Sequence, residues 1–259
     1  MKFLFFEKKY HTDLTQENIQ NLVIRFANHP MVISRVVIIM SHGNKTVLFD
    51  VDHKGYNFNR VIRNPFSSNN NPHLKDTLKL IVIQACRGEV EPFQLDESPY
   101  DSQWCDRYSN LCLAKSSLED YKSVRFTHIG CPYIKQITLA LEKQWRTHNI
   151  NKIFNDVAAS MQNEYENLNL TPEFSVLGHV TVPIEDTFMK VLKASSRNLG
   201  NINSLVEFVI LLSIEQQLLL SKCISKTETS TQICPPMTLE TQSFSYIFFC
   251  YRFHQIPYN

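Results

Sequence analysis

The sequence lacks an excess of charge of either sign. Its 259 residues carry 26 basic and 25 acidic side chains, a formal net charge of +1. Recognition of phosphate needs a basic surplus concentrated on one face, so the composition gives no support to a nucleic-acid partner. Nor is there an apolar run fit to cross a membrane, because charged and amide side chains interrupt the most apolar stretch, residues 205–220. We therefore expect neither a nucleic-acid nor a membrane partner.

Cysteine pairs with metal-ligand spacing are also absent. The chain has seven cysteines, an odd number, and none of them form a C-x-x-C pair. This count argues against a disulfide framework and the spacing argues against a zinc site, so we expect reduced cysteines, no metal and no cofactor. The apolar N-terminal stretch ends at Glu7 and is too short for a signal peptide. These features predict a cytoplasmic protein.

Strand and helix patterns alternate along the first two thirds of the chain. Residues 35–40 and 78–83 are almost entirely apolar and rich in β-branched side chains, which is typical of strands buried on both faces of a mainly parallel sheet. Thr15 is a candidate N-cap for a helix, and two more helices are predicted around residues 134–141 and 153–161. Strands that alternate with helices predict an α/β fold.

A histidine and a cysteine each follow one of these buried strands. His42 lies in a Ser-His-Gly sequence, and Cys86 lies in Gln84-Ala85-Cys86-Arg87-Gly88. Taken alone, either residue is more often structural than catalytic. Adjacent parallel strands end at the same edge of a sheet, however, so the two side chains can meet there. An imidazole beside a thiol generates a nucleophilic thiolate, and the N–H groups of Gly43 and Cys86 could stabilise an oxyanion.

The sequence Gln84–Gly88 resembles the nucleophile motif of the caspase family. In that family the histidine lies about 50 positions upstream, and here the separation is 86 − 42 = 44. Residues 13–19 are similar to the start of the family's large-subunit helix, and residues 123–134 resemble a small-subunit pattern. The resemblance covers about residues 1–180. It implies a three-layer α/β/α sandwich with a mainly parallel central sheet.

The resemblance also implies an activity and a set of site residues. The activity is that of a cysteine endopeptidase that cuts protein substrates after aspartate, in apoptosis or related signalling. The implied catalytic residues are His42, Gly43 and Cys86. The implied pocket for the substrate aspartate contains Gln84, Ser123 and Arg125. Arg125 would clamp the carboxylate, and the alternative for this residue is a surface ion pair.

Four regions follow from the same resemblance. They are a large-subunit-like region at 1–90, an intersubunit linker at 91–109, a small-subunit-like region at 110–180 and a C-terminal extension of unknown role at 181–259. Asp101, which the small Ser102 follows, is the predicted processing site of a zymogen; a plain solvated loop is the alternative. Caspases pair through their small subunits, so a homodimer or a heterodimer with another caspase is implied. The extension is a candidate to cover that pairing edge.

The chain differs from the family in the pocket that binds the substrate aspartate. Caspases carry a second pocket arginine on a strand well upstream of the Ser-His-Gly sequence, whereas no arginine precedes Arg25 here. That strand lies inside the family's sheet, so the chain resembles an N-terminally truncated caspase, and residues 2–6 are a candidate to fill the gap. The alternative function is therefore that of an activity-impaired homologue that binds and regulates an active caspase.

Overall fold

The computed structural model describes residues 6–29, 32–44, 47–86, 108–118, 123–124, 130–144, 147–168, 170, 172–177 and 246–253. Over these residues the strands are β1 Phe6–Thr12, β2 Val32–Met40, β3 Val47–Phe49, β4 Gly55–Asn57, β5 Leu78–Gln84, β6 Leu111–Lys115, β7 Glu173–Leu177 and β8 Tyr246–Phe253. The α-helices are α1 Gln16–Ala27, α2 Pro132–Gln144 and α3 Ile150–Glu164. A π-helical turn spans Asn59–Arg63, and 3-10 turns span Asn64–Phe66, Pro72–Leu74 and Glu166–Leu168.

The main sheet has the strand order β1-β8-β2-β5-β6-β7. Its centre is parallel, since β2 pairs parallel with β5, and β5 with β6. The strand β8 runs antiparallel to both of its neighbours, and β7 runs antiparallel to β6. The strands β1, β2, β5 and β6 therefore share one direction. The predicted mainly parallel sheet is confirmed, and β3 and β4 form a separate hairpin.

Helices cover both faces of this sheet. On one face, Val36 and Ile38 of β2 pack with residues of α2 and α3. On the other face, Val37 and Ile39 of the same strand pack with α1 and the short helical turns. Every residue of β5 except the last is buried, as expected for a strand that is covered on both sides. The predicted α/β/α sandwich is confirmed.

The first helix begins as the sequence predicts. The Thr15 hydroxyl accepts a hydrogen bond from the N–H of Asn18, which satisfies one of the free donors of the first turn. Ile19 and Val23 are fully buried against the sheet. The buried carboxylate of Asp50 accepts a further hydrogen bond, 2.9 Å long, from the N–H of Gln16. The start of α1 is thus anchored to the loop that follows β3.

The place beside β2 is occupied by a strand from the C-terminal extension. Residues 2–5 lie outside the described residues, and Phe6–Thr12 form the outer strand β1, one position beyond β8. The strand β8 lies four positions from β7 in the sheet order, so this part of the extension does not cover the β7 edge. Residues 178–245 lie outside the described part of the chain. The interior gap that the resemblance implied is therefore closed by residues 246–253.

Candidate functional site

The strands β2 and β5 bring His42 and Cys86 to the same edge of the sheet. Met40 and Gln84 are register partners, and the N–H of Ser41 donates a 3.1 Å hydrogen bond to the carbonyl of Gln84. His42 and Cys86 each follow two residues after this pair, on strands that lie ~4.8 Å apart. The paired strand ends thus bring the backbone at His42 and the backbone at Cys86 to the same edge of the central sheet.

Gly43 pairs with β3 through its backbone and lies close to Cys86. It forms a β-bridge with Leu48, flanked by 2.9 Å hydrogen bonds from Phe49 N–H to the His42 carbonyl and from Asn44 N–H to the Val47 carbonyl. In such a non-hydrogen-bonded pair, the N–H of Gly43 is directed away from β3. A Cβ atom at Gly43 would lie 3.0 Å from the carbonyl oxygens of both Cys86 and Val47. Only glycine allows the Ser-His-Gly loop to approach Cys86 this closely.

A Gly43→Ala variant is expected to lose at least 10-fold in turnover, because the added methyl would push the loop away from Cys86. The matched control is Gly55→Ala, whose Cβ would lie 3.4 Å from its nearest neighbours, an ordinary contact. Turnover and thermal unfolding should be measured for both. Equal losses of turnover in the two variants would contradict a specific role for the contact between Gly43 and Cys86.

Serine hydroxyls hold the backbone that leads into Cys86. Ser116 and Ser117 follow β6, the neighbour of β5, and the carbonyl of Ala85 lies 3.3 Å from each hydroxyl. The N–H of Ala85 lies 3.3 Å from the same Ser116 oxygen, and Ser123 donates to Ser116 over 2.8 Å. Our sequence analysis missed Ser116 and Ser117. The signal was available, because a serine pair at the end of the next buried strand lies at the same sheet edge.

The predicted pocket residues Gln84 and Ser123 contact each other. The side-chain nitrogen of Gln84 donates to the Ser123 hydroxyl over 2.5 Å. The other end of that amide, Gln84 Oε1, is buried and accepts no hydrogen bond from the described residues. Arg125 and Asp101 both lie outside the described residues, so the structure locates neither of them.

The sulfur of Cys86 lies in a buried position, with the residue 6% exposed. It is 3.3 Å from the carbonyl oxygen of Ser123, a distance at which a reduced thiol donates a hydrogen bond. In the structure, however, Cys86 is part of a disulfide, and Cys112 and Cys131 are free. The expectation of reduced cysteines is therefore wrong for Cys86. Its sulfur must be released by reduction before it can act as a thiolate.

Metal and membrane sites can be assessed over the described ranges. There, no group of three or more His, Cys, Asp and Glu side chains is arranged to hold a metal ion. No helix in that part of the chain is long and apolar enough to cross a membrane.

Comparisons with known proteins identify the family and the fold. The family model described as "Caspase domain" matches residues 1–179, which include His42, Gly43, Gln84, Cys86 and Ser123. The crystal structure of caspase-1 from Spodoptera frugiperda is similar with a TM-score of 0.53 and 18% sequence identity, over 65% of this chain and 71% of that chain. Identity this low supports the fold alone. Comparison with curated proteins gives no match. Because the family model covers more than half of the sequence, the chain belongs to the caspase family of cysteine peptidases.

Proposed function

We propose that the protein is a cysteine endopeptidase that hydrolyses peptide bonds after aspartate. The observation that carries the proposal is the contact between Gly43 and the Cys86 carbonyl at the ends of two adjacent parallel strands. It supports the proposal because His42, Gly43 and Cys86 follow paired strand ends at one edge of the sheet. Cysteine peptidases need these groups together.

The chemistry follows from the roles of these groups. After reduction, the Cys86 thiolate attacks the scissile carbonyl carbon, and the N–H groups of Gly43 and Cys86 stabilise the negative oxygen. The His42 imidazolium protonates the leaving amine, which leaves a thioester on Cys86. The neutral imidazole then takes a proton from water, whose oxygen attacks the thioester and releases the carboxylic acid product.

The side chain of the substrate aspartate would bind beside His42 and Cys86. Its pocket would contain Gln84, Ser123 and Arg125. Ser123 is fixed by its hydrogen bonds to Gln84 and Ser116. Arg125 follows two residues later, and a planar guanidinium binds a carboxylate through two parallel hydrogen bonds. We propose this role for Arg125 because of its sequence position next to the anchored serine.

The strand that closes the sheet does not supply a second arginine at this edge. Arg252 of β8 pairs with Ser34, near the opposite end of β2 from His42. Losing one desolvated, charge-assisted contact to a carboxylate costs roughly 2–5 kcal/mol, about two to four decades in rate. We therefore expect slow cleavage.

The test compares two reporter peptides that differ only in aspartate or asparagine before the cleaved bond. With reduced full-length protein, we expect kcat/KM for the aspartate peptide to be at least 100-fold higher, because asparagine has the same shape but no charge for the guanidinium. Equal rates for the two peptides would contradict the proposed aspartate pocket. The Arg125→Gln variant should remove the preference while leaving the fold unchanged by circular dichroism.

A second candidate is an activity-impaired homologue that binds and regulates an active caspase. The observation that favours it is the disulfide at Cys86, which ties up the nucleophile. The two candidates differ after reduction. Turnover that appears with a thiol reductant supports the enzyme, whereas no turnover at high concentrations of reduced protein supports the regulator.

The remaining parts of the proposal concern assembly and setting. We propose pairing with a second copy or another caspase through β7, which in the described sheet is an edge strand bonded to β6. We also propose processing of the linker at Asp101, and a cytoplasmic role in apoptosis or related signalling. A reducing compartment would keep Cys86 available as a thiol.

A further inference from the structure

The C-terminal strand β8 is an interior strand that arrives from a distant part of the sequence. It pairs with β1 from Phe6↔Arg252 to Thr12↔Tyr246, and with β2 from Val32↔Phe253 to Met40↔Tyr246. The preceding described element, β7, is at the opposite edge of the sheet. Residues 178–245 separate these two strands in the sequence, and four strand positions separate them in the sheet.

The attachment of β1 to the sheet depends on β8. In the described sheet, β1 is hydrogen-bonded only to β8. Without β8, backbone groups on β1 and on one side of β2 would lose their partners. A direct pairing of β1 with β2 would need β1 to move by one strand spacing, ~4.8 Å.

Contacts at the end of β1 oppose that movement. The carbonyl of Leu14 accepts a 3.2 Å hydrogen bond from the N–H of Val51, and the N–H of Gln16 donates to the buried carboxylate of Asp50. Asp13, the residue after β1, adopts a positive φ of 54°, which turns the chain sharply into α1. These contacts tie the turn that follows β1 to the loop that follows β3, and neither contact involves β8.

The gap lies beside the strand that carries the histidine. Tyr246, the first residue of β8, is the register partner of Met40, the last residue of β2. His42 follows Met40 by two residues. The filled gap thus supports β2 up to the edge where Gly43 meets Cys86.

We propose that the gap between β1 and β2 is a strand-acceptor slot, that its occupant is the chain's own C-terminal strand, and that this occupancy positions His42. Recognition is by strand addition, in which main-chain hydrogen bonds supply the affinity. The residues after the caspase-like region thereby contribute a donor strand to the sheet that bears the proposed catalytic pair. This inference concerns the assembly of the sheet, and it stands whether or not the protein cleaves peptides.

A disulfide cross-link in the full-length protein tests the occupant and its register. Cys250 is the register partner of Val36, and directly opposite residues of antiparallel strands are close enough for a disulfide. Mild oxidation of Val36→Cys should give a link between residues 36 and 250 in most molecules, detected by mass spectrometry of the digest. The control Val37→Cys, whose side chain points to the opposite face, should give at least 10-fold less. Equal linking in both variants, or none in Val36→Cys, would overturn the proposed slot.

A mixing experiment asks which copy supplies the strand. A Val36→Cys/Cys250→Ser chain is unfolded and refolded together with wild-type protein and then oxidised. Because the double variant has no cysteine at position 250, a 36–250 link can form only between two copies. We expect less than 10% of this link. A majority of linked pairs would show that a second copy fills the slot and would overturn the assignment to the chain's own strand.

Hydrogen exchange tests the positioning role without requiring activity. Cys250→Pro removes one ladder donor from β8, whereas Cys250→Val keeps it and favours a strand. Relative to Cys250→Val, the proline variant should exchange the amides of residues 6–12 and 32–40 at least 10-fold faster, with little change in β6. If exchange rises equally in β6, or does not rise in β2, the slot does not specifically support the His42 strand.

Discussion

Replacing Cys86 with alanine is expected to lower cleavage of an aspartate-ending reporter at least about 1000-fold, because the variant has no sulfur to form the thioester. The matched control is Cys112→Ala on the buried strand β6, where the free thiol packs in the core. The control should keep turnover within a few-fold of the wild type. Turnover that persists in Cys86→Ala would show that another residue is the nucleophile.

Because Cys86 is in a disulfide, this comparison must be made both with and without a thiol reductant. Without reductant, the wild type should be as inactive as Cys86→Ala, because a disulfide sulfur is not a nucleophile toward a peptide carbonyl. A thiol reductant should restore the wild type and leave the variant inactive. Mass measured before and after reduction verifies that the disulfide has opened, so each rate belongs to a known state of the sulfur.

The second large effect concerns stability and arises from two buried cations. Arg35 of β2 and Lys79 of β5 are register partners, and each is 1% exposed. Arg35 donates to the carbonyls of Phe26 and His29, and the Lys79 ammonium donates to the carbonyl of Leu74 over 2.5 Å. Burial, and next the charge of Arg35, lower the pKa of Lys79 from 10.5 to about 7. Keeping Lys79 charged therefore costs free energy in the folded protein.

This pKa shift predicts that the free energy of unfolding rises with pH above 7. Between pH 7 and 10.5 the unfolded chain binds more protons at Lys79 than the folded chain, so raising the pH favours folding; below pH 7 both forms are protonated and the contribution is constant. Burial raises the pKa of Cys112 to about 12, which opposes the rise above about pH 9. Between pH 7 and 9 the effect of Lys79 is therefore not opposed by Cys112. Over this range we expect the free energy of unfolding to rise by about 2–3 kcal/mol.

Urea unfolding at pH 7, 8 and 9 measures this dependence. Lys79→Met should flatten the rise, because its side chain has no proton to lose. Lys75→Met, at a nearby exposed position, should retain the wild-type slope. If Lys79→Met keeps that slope as well, the buried lysine is not its source.

The sequence predicted the elements that depend on local patterns. The apolar runs before His42 and Cys86 identified β2 and β5, and Thr15 marked the start of α1. Strands buried on both faces, with helices between them, were enough to predict an α/β fold and to expect His42 and Cys86 at one edge; the three-layer sandwich was implied by the family resemblance. These inferences succeeded because hydrophobic periodicity and capping act over a few residues.

Partners that are distant in sequence could not be predicted in the same way. The C-terminal stretch is rich in aromatic residues, but this composition does not specify that it forms a strand that pairs with β1 and β2. The hydrogen bonds of Ser116 and Ser117 depend on how β6 ends beside β5. The disulfide at Cys86 was unexpected for a related reason, since spacing alone does not determine cysteine pairing. The roles of Arg125 and Asp101 rest on the family resemblance and stay predictions.

The most direct test of the central claim is to find which atom an aspartate-directed electrophile modifies. Reduced full-length protein is treated with a peptidyl aspartyl fluoromethyl ketone and with its asparaginyl analogue, then digested for mass spectrometry. The proposed function predicts that the label lies on Cys86, forms at least 100-fold faster with the aspartyl reagent, and forms much more slowly in His42→Ala. A label on another cysteine, or equal rates with the two reagents, would contradict it.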